Sequence, residues 1–186
     1  MSKIFAVGFH KTGTSSLGKA LKILGYKSCF GANELRAQLG ELNMMQALFK
    51  EDYETIFEFA ETYDCFNDLP WFAIYKALDQ RFPNSKFILT TREESAWINS
   101  SKAYFGDTTS PFRLWLYGKS NPKNDTEVYL KRYKAHNKEV ELYFENRNDL
   151  LILPLEEKDK WGQLCSFLNK PLPDQKYPAL HPKGKR

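Results

Sequence analysis

Residues 5–21 read FAVGFHKTGTSSLGKAL. An apolar run enters a turn of glycine, threonine and serine and leaves it on a segment with helical spacing, with Lys11 in mid-turn. Gly8 and Gly13 keep the spacing of the phosphate-loop pattern GxxxxGK[ST], but Thr14-Ser15 stands where that pattern has lysine. Backbone N–H groups of Thr12 to Ser16 are placed to wrap a phosphate at a helix N-terminus, where the dipole favours negative charge. The hydroxyls of Thr12, Thr14, Ser15 and Ser16 add donors. What is lost is the lysine that reaches the end of a triphosphate, and with it the K[ST] pair that goes with magnesium. Taken alone, the stretch also reads as an ordinary glycine-containing turn before a helix.

The rest of the chain alternates strands and helices. Residues 3–8 (KIFAVG) form a short apolar run suited to a buried parallel strand. Leu17, Ala20, Leu21 and Leu24 make one helical stripe, which Gly25 stops. Residues 33–60 predict two or three short helices and residues 63–67 a second strand. Pro70 opens a helix that ends near Pro83. Residues 86–91 (KFILTT) are the clearest strand, followed by helix over 93–103. Residues 105–125 are irregular, with a short helix at 111–117. A long amphipathic helix over 126–146, a buried strand at 150–155 (LLILPL) and a helix at 159–168 complete the order. Such alternation predicts an α/β fold, a mostly parallel sheet covered by helices on both faces. Ligands then bind at the carboxyl ends of strands. Lys11 follows the first predicted strand, Asp68 the second and Arg92 the third.

With 186 residues the chain has room for one domain with a real core and not two, so residues 1–186 read as a single domain. Its net charge of +4 suits an anionic small ligand better than nucleic acid, which needs a denser basic stripe. Cys29, Cys65 and Cys165 lie far apart without metal spacing and read as small buried hydrophobes in a reducing compartment. The apolar runs fall short of the roughly 20 residues of a membrane span, and the N-terminus enters a strand directly. The expected location is therefore the cytoplasm.

HKTGTSSL resembles the 5′-phosphosulfate loop of sulfotransferases that use 3′-phosphoadenosine 5′-phosphosulfate (PAPS), with His10 in place of the family's usual proline. The resemblance implies that Lys11 contacts the 5′-phosphate and the oxygen bridging it to the sulfuryl group. That family follows a later strand with an arginine and, eight positions on, a serine, both of which hold the 3′-phosphate. Arg92 and Ser100 keep that spacing, and arginine offers a bidentate fork for phosphate. Asp68-Leu69-Pro70 stands where cytosolic members carry His-Leu-Pro, so Asp68 takes the general-base position. WGQLCSFLNKPLP is similar to the family's closing helix and turn. The resemblance runs over most of the chain and is closest to short, divergent bacterial-type members. It implies a P-loop NTPase-like fold, PAPS as donor with PAP as product, no metal, and a small-molecule or glycan acceptor. It implies nothing about oligomeric state. The family's arginine–lysine–glycine loop has only Lys183-Gly184 as a faint counterpart.

Other residues leave alternatives open. His10 reads as a phosphate contact or as an exposed loop residue. His136 reads as structural, and His181 lies in the tail. Asp68 is a base, or a cap for the helix after Pro70. Tyr104, Phe105, Phe112, Trp115 and Tyr117 line an acceptor pocket, form a lid, or belong to the core. Two other activities fit parts of the pattern: a small-molecule kinase using ATP, and a nucleotide-binding module that has lost its chemistry.

Overall fold

Gly8 sets how closely two neighbouring segments approach. A Cβ built there would lie 2.1 Å from Thr90 Oγ1 and 2.3 Å from the Thr90 carbonyl oxygen. Only glycine admits this contact between the turn after the first strand and the strand KFILTT. The computed structural model describes residues 2–119 and 121–180.

In chain order the elements are β1 (Ile4–Ala6), α1 (Thr14–Ile23), β2 (Ser28–Phe30), α2 (Asn33–Leu39), α3 (Glu41–Lys50) and α4 (Glu54–Ala60). There follow β3 (Cys65–Asn67), a 3₁₀ turn (Trp71–Ala73), α5 (Tyr75–Arg81), β4 (Lys86–Thr91) and α6 (Glu94–Phe105). The chain continues through α7 (Pro111–Tyr117), α8 (Thr126–Tyr143), β5 (Leu150–Pro154) and α9 (Lys160–Leu168). The strands form one parallel sheet in the order β2-β3-β1-β4-β5. This is the expected α/β class, a parallel sheet flanked by helices with a P-loop NTPase-like strand–loop–helix at its centre.

Successive strand residues face opposite sides of a sheet. Ile4, Ala6, Ile88 and Leu153 accordingly pack with Leu17, Leu21, Leu164 and Leu168 of α1 and α9. Phe5, Val7, Phe87 and Leu89 face the other way, into a larger aromatic core with Trp71, Trp97, Tyr129 and Tyr133. Phe5 stacks against both Phe66 and Phe87.

Three details differ from the sequence expectation. Ser28–Phe30 adds a strand, so the strand before Asp68 is the third rather than the second. Three residues are too few to display an alternation. The helix expected from Pro70 begins instead as the 3₁₀ turn. β5 is not buried: it borders β4 alone, and Ile152 is 42% exposed. Its terminal Pro154 suits an edge, where a missing N–H costs no ladder bond.

Replacing Gly8 with alanine will force the two paired segments apart and destabilise the protein by about 1–3 kcal/mol, the usual cost of overpacking. A urea-denaturation midpoint equal to that of the parent contradicts this account of Gly8.

Candidate active site

Beyond β1 the loop is fastened by its carbonyl groups. Thr12 Oγ1 donates to the Phe9 carbonyl at 2.5 Å and meets Thr90 Oγ1 at 2.6 Å. Trp97 Nε1 donates to the His10 carbonyl at 2.9 Å, and Arg92 Nη1 to the Lys11 carbonyl at 3.2 Å. In a trans peptide the next N–H is antiparallel to the C=O. The N–H groups of His10, Lys11 and Thr12 therefore point away from these partners. Lys11 and Gly13 adopt left-handed backbone, with φ of 67° and 99°. For lysine this is a strained choice, held by the surrounding bonds.

Gly13 is the N-cap of α1 and brings no capping side chain, and the first turn carries no acidic residue. The first N–H groups of a helix lack intrahelical partners, and the N-cap Gly13 makes no side-chain capping bond to them. A Cβ at Gly13 would meet Leu155 Cδ1 at 2.8 Å. Glycine thus serves both the left-handed turn and the close approach of the β5 end.

A cavity of about 630 Å³ opens over this loop. Lys11, Thr12, Gly13, Thr14, Ser15 and Ser16 line its floor. Arg92, Ala96 and Ser100 line it from the β4–α6 side, and Asp68 from the end of β3. Lys11, Thr12, Gly13, Thr14, Ser15, Ser16, Asp68, Arg92 and Ser100 therefore surround one space. Two of their hydroxyls are already engaged: Thr12 is 1% exposed with its hydroxyl in the internal bonds above, and Ser16 Oγ accepts the Leu180 N–H at 3.0 Å.

Arg92 is held from several directions. Its N–H donates to Tyr133 Oη at 2.9 Å, and that hydroxyl donates to the Arg92 carbonyl at 2.8 Å. Glu93 caps α6 by accepting from the N–H groups of Ser95 and Ala96, each at 2.8 Å. Arg92 Nε is buried and has no hydrogen-bond partner among the described residues. A buried unpaired donor of a charged group is costly, and an anion in the cavity would relieve it. Ser100 lies on the same helix, facing the same cavity.

Asp68 follows β3 with φ of 73°. Its Oδ1 accepts the Leu69 N–H at 2.9 Å. It does not cap the following turn, whose N-cap is Pro70 with no side-chain capping bond. Burial pushes the Asp68 carboxyl above the usual range, while the Leu69 N–H and the Lys11 charge pull it partly back. Asp64 sits at the opposite end of β3, where Oδ2 accepts the Lys27 N–H at 2.8 Å.

His10 is not an exposed loop residue. It is 5% exposed, its Nε2 is 2.8 Å from Tyr117 Oη, and its ring lies among Trp97, Phe105 and Phe72. Burial, followed by Lys11 and Arg113, lowers its pKa to about 3, so the ring is neutral at physiological pH. His136 is structural, as expected: Nε2 donates to the Val7 carbonyl at 2.7 Å. Burial lowers it to about 3 as well, against the Val7 hydrogen bond. Of the aromatic residues between 104 and 117, Phe112 and Tyr117 are core, whereas Tyr104 lines the cavity with its ring 4.0 Å from Lys11 Nζ.

Sequence reasoning missed the far wall. Leu155, Lys158 and Lys160 follow β5, and Tyr177 to Leu180 cross the cavity edge. The rule that ligands lie at strand ends would have found the two lysines. The segment 177–180 has no periodic or motif signal. Lys183-Gly184 and His181 lie outside the described residues.

Both histidines bind fewer protons in the folded protein than in the unfolded chain between pH 6.5 and about 3. Stability will therefore fall as pH drops below 6.5, with a limiting slope of about 1.4 kcal/mol per pH unit for each ring. Urea midpoints at pH 7 and pH 5 check this; a midpoint that holds or rises on acidification contradicts it.

The chain is similar to several known proteins. A protein of Aspergillus versicolor named Ava biosynthesis cluster protein M is 24% identical over 217 residues, covering 96% of this chain and 80% of that one. The crystal structure of shikimate kinase from Bacteroides thetaiotaomicron aligns with a TM-score of 0.46 at 15% identity, covering 90% of this chain and 95% of that one. The family model described as a sulfotransferase domain matches residues 3–124 and 112–185, and with that match over nearly the whole chain, the protein belongs to the sulfotransferase domain family.

Proposed function

We propose that the chain is a single-domain PAPS-dependent sulfotransferase acting on a hydroxyl or amine acceptor without a metal. The observation that carries this reading is the order of groups around one cavity: Lys11 lies between Asp68 on the β3 side and Arg92 with Ser100 on the β4 side. Its support includes the uncapped start of α1 and the unpaired Arg92 Nε, both suited to phosphate groups. The absence of a lysine directly after Gly13, where Thr14 stands, weighs against an ATP-dependent kinase.

The donor supplies a sulfuryl group on a phosphate leaving group. The floor N–H groups and Lys11 hold the 5′ end, and Arg92 with Ser100 hold the 3′-phosphate. Asp68 takes the acceptor proton as the acceptor oxygen–sulfur bond forms. The bond from sulfur to the phosphate oxygen breaks, its electron pair stays on that oxygen, and the Lys11 ammonium meets the developing charge. The raised Asp68 carboxyl is a stronger base than a solvated aspartate, and a positioned base contributes about 10²–10⁴-fold.

Transfer from labelled PAPS, followed in EDTA, tests the reading. Lys11→Ala is expected to lower kcat by roughly 10²-fold or more at saturating donor, because its charge acts in the transition state. Asp68→Asn is expected to lower kcat at least about tenfold and to remove the acid limb of the pH profile, with PAP binding retained. A Lys11→Ala variant that raises only KM, or strict dependence on magnesium, contradicts the assignment.

A further inference from the structure

The cavity is electrically polar along the sheet. Four cationic side chains line it: Lys11 at the centre, Arg92 after β4, and Lys158 and Lys160 after β5. On the β3 side of Lys11, the charged side chain lining the cavity is Asp68, among the described residues. His10 beside it is neutral. Glu156 also lines the β5 side, so the nucleotide half carries three cations against one carboxylate, while the half left for the acceptor carries Asp68. Asp68 Oδ1 accepts the Leu69 N–H at 2.9 Å.

Tyr104 supplies the second component. It lies four residues, one helical turn, beyond Ser100 on α6, so both face the cavity. Tyr104 is 56% exposed, and its ring holds the Lys11 ammonium at 4.0 Å from the centroid. The ring face is therefore already shown to accommodate an ammonium group. Lys11 also acts electrostatically on Asp68, and Tyr104, Lys11 and Asp68 line the same cavity. A donor phosphate neutralises Lys11 and draws its ammonium toward the bridging oxygen. The Tyr104 ring and the Asp68 carboxylate are then left without their cation.

We propose that Tyr104 and Asp68 form an ammonium subsite that takes the cationic nitrogen of an amino-alcohol acceptor and turns its hydroxyl toward Lys11. This rests on the donor reading given above. A ring face attracts a cation through its quadrupole, and the carboxylate adds a charge of the right sign. A carboxylate-bearing acceptor would meet Asp68 with like charge and would be excluded.

Calorimetric titration of PAP-saturated protein tests the subsite with three alcohols of matched size. They are choline, its uncharged tert-butyl isostere and a hydroxycarboxylate. Choline is expected to bind at least about tenfold more tightly than the isostere, and the hydroxycarboxylate most weakly. Without PAP, with Lys11 still on the ring, the choline preference is expected to vanish. Tyr104→Phe keeps the ring and should keep the preference, whereas Tyr104→Leu and Asp68→Asn should each reduce it to under about threefold. PAP binding by each variant shows that it is folded. Equal affinity for choline and its isostere, or a preference that survives Tyr104→Leu, overturns the subsite alone. Failure of the parent to bind PAP overturns the donor reading, and the subsite with it.

Discussion

The contact of the first loop with β4 governs the rest of the structure. Gly8 lies against Thr90, Thr12 and Thr90 share a hydroxyl contact, and Arg92 and Trp97 each take a loop carbonyl. These bonds fix three successive carbonyls, and the trans peptide then fixes where the intervening N–H groups point. Phosphate loops depend on backbone donors held ready in advance, because donors that must reorganise on binding lose part of their interaction. The same clamp gives Arg92 two tasks. One of its nitrogens supports the loop, while its buried Nε has no hydrogen-bond partner among the described residues. The cation that would grip one end of the donor thereby also shapes the cradle for the other.

Charge is sorted by strand order. Because β1 is central, with β3 on one side and β4 on the other, residues after these strands converge from opposite directions on Lys11. Sequence-distant residues meet because each follows a parallel strand, and parallel strands bring their carboxyl ends to one edge. The cationic β4–β5 side suits a nucleotide with several phosphates, and the single carboxylate of the β3 side suits proton transfer. Burial raises the Asp68 carboxyl, while Lys11 keeps that rise in check.

Much of this was legible in the sequence, and the reason is local. Arg92 sits directly after KFILTT, Lys11 in the turn after KIFAVG and Asp68 after the short segment YDCFN, so strand-end reasoning places them without knowledge of the fold. KFILTT is long and β-rich, and its strand spans Lys86–Thr91. What escaped reading depends on tertiary partners. Ser28–Phe30 is too short for a periodic signal and becomes a strand by pairing with β3. LLILPL looks buried by composition, yet the sheet ends there, which no local pattern reports. His10 reads as a loop residue until Tyr117, Phe105 and Trp97 close around it. The Thr12 hydroxyl looks like a phosphate donor, but Phe9 and Thr90 take it for internal bonds, whereas Ser16 Oγ accepts the Leu180 N–H and keeps its own O–H.

The central claim is that this cavity holds a nucleotide with phosphates at both ends and no metal. Isothermal titration in EDTA, comparing PAP with AMP and ATP, tests it most directly. AMP lacks the 3′-phosphate assigned to Arg92 and Ser100, and ATP carries a chain for which the loop has no lysine after Gly13. The account predicts PAP bound at least about tenfold more tightly than either, a difference of about 1.4 kcal/mol. Arg92→Ala should collapse the gap between PAP and AMP. Equal affinity for PAP and AMP, or binding that appears only with magnesium, would contradict it.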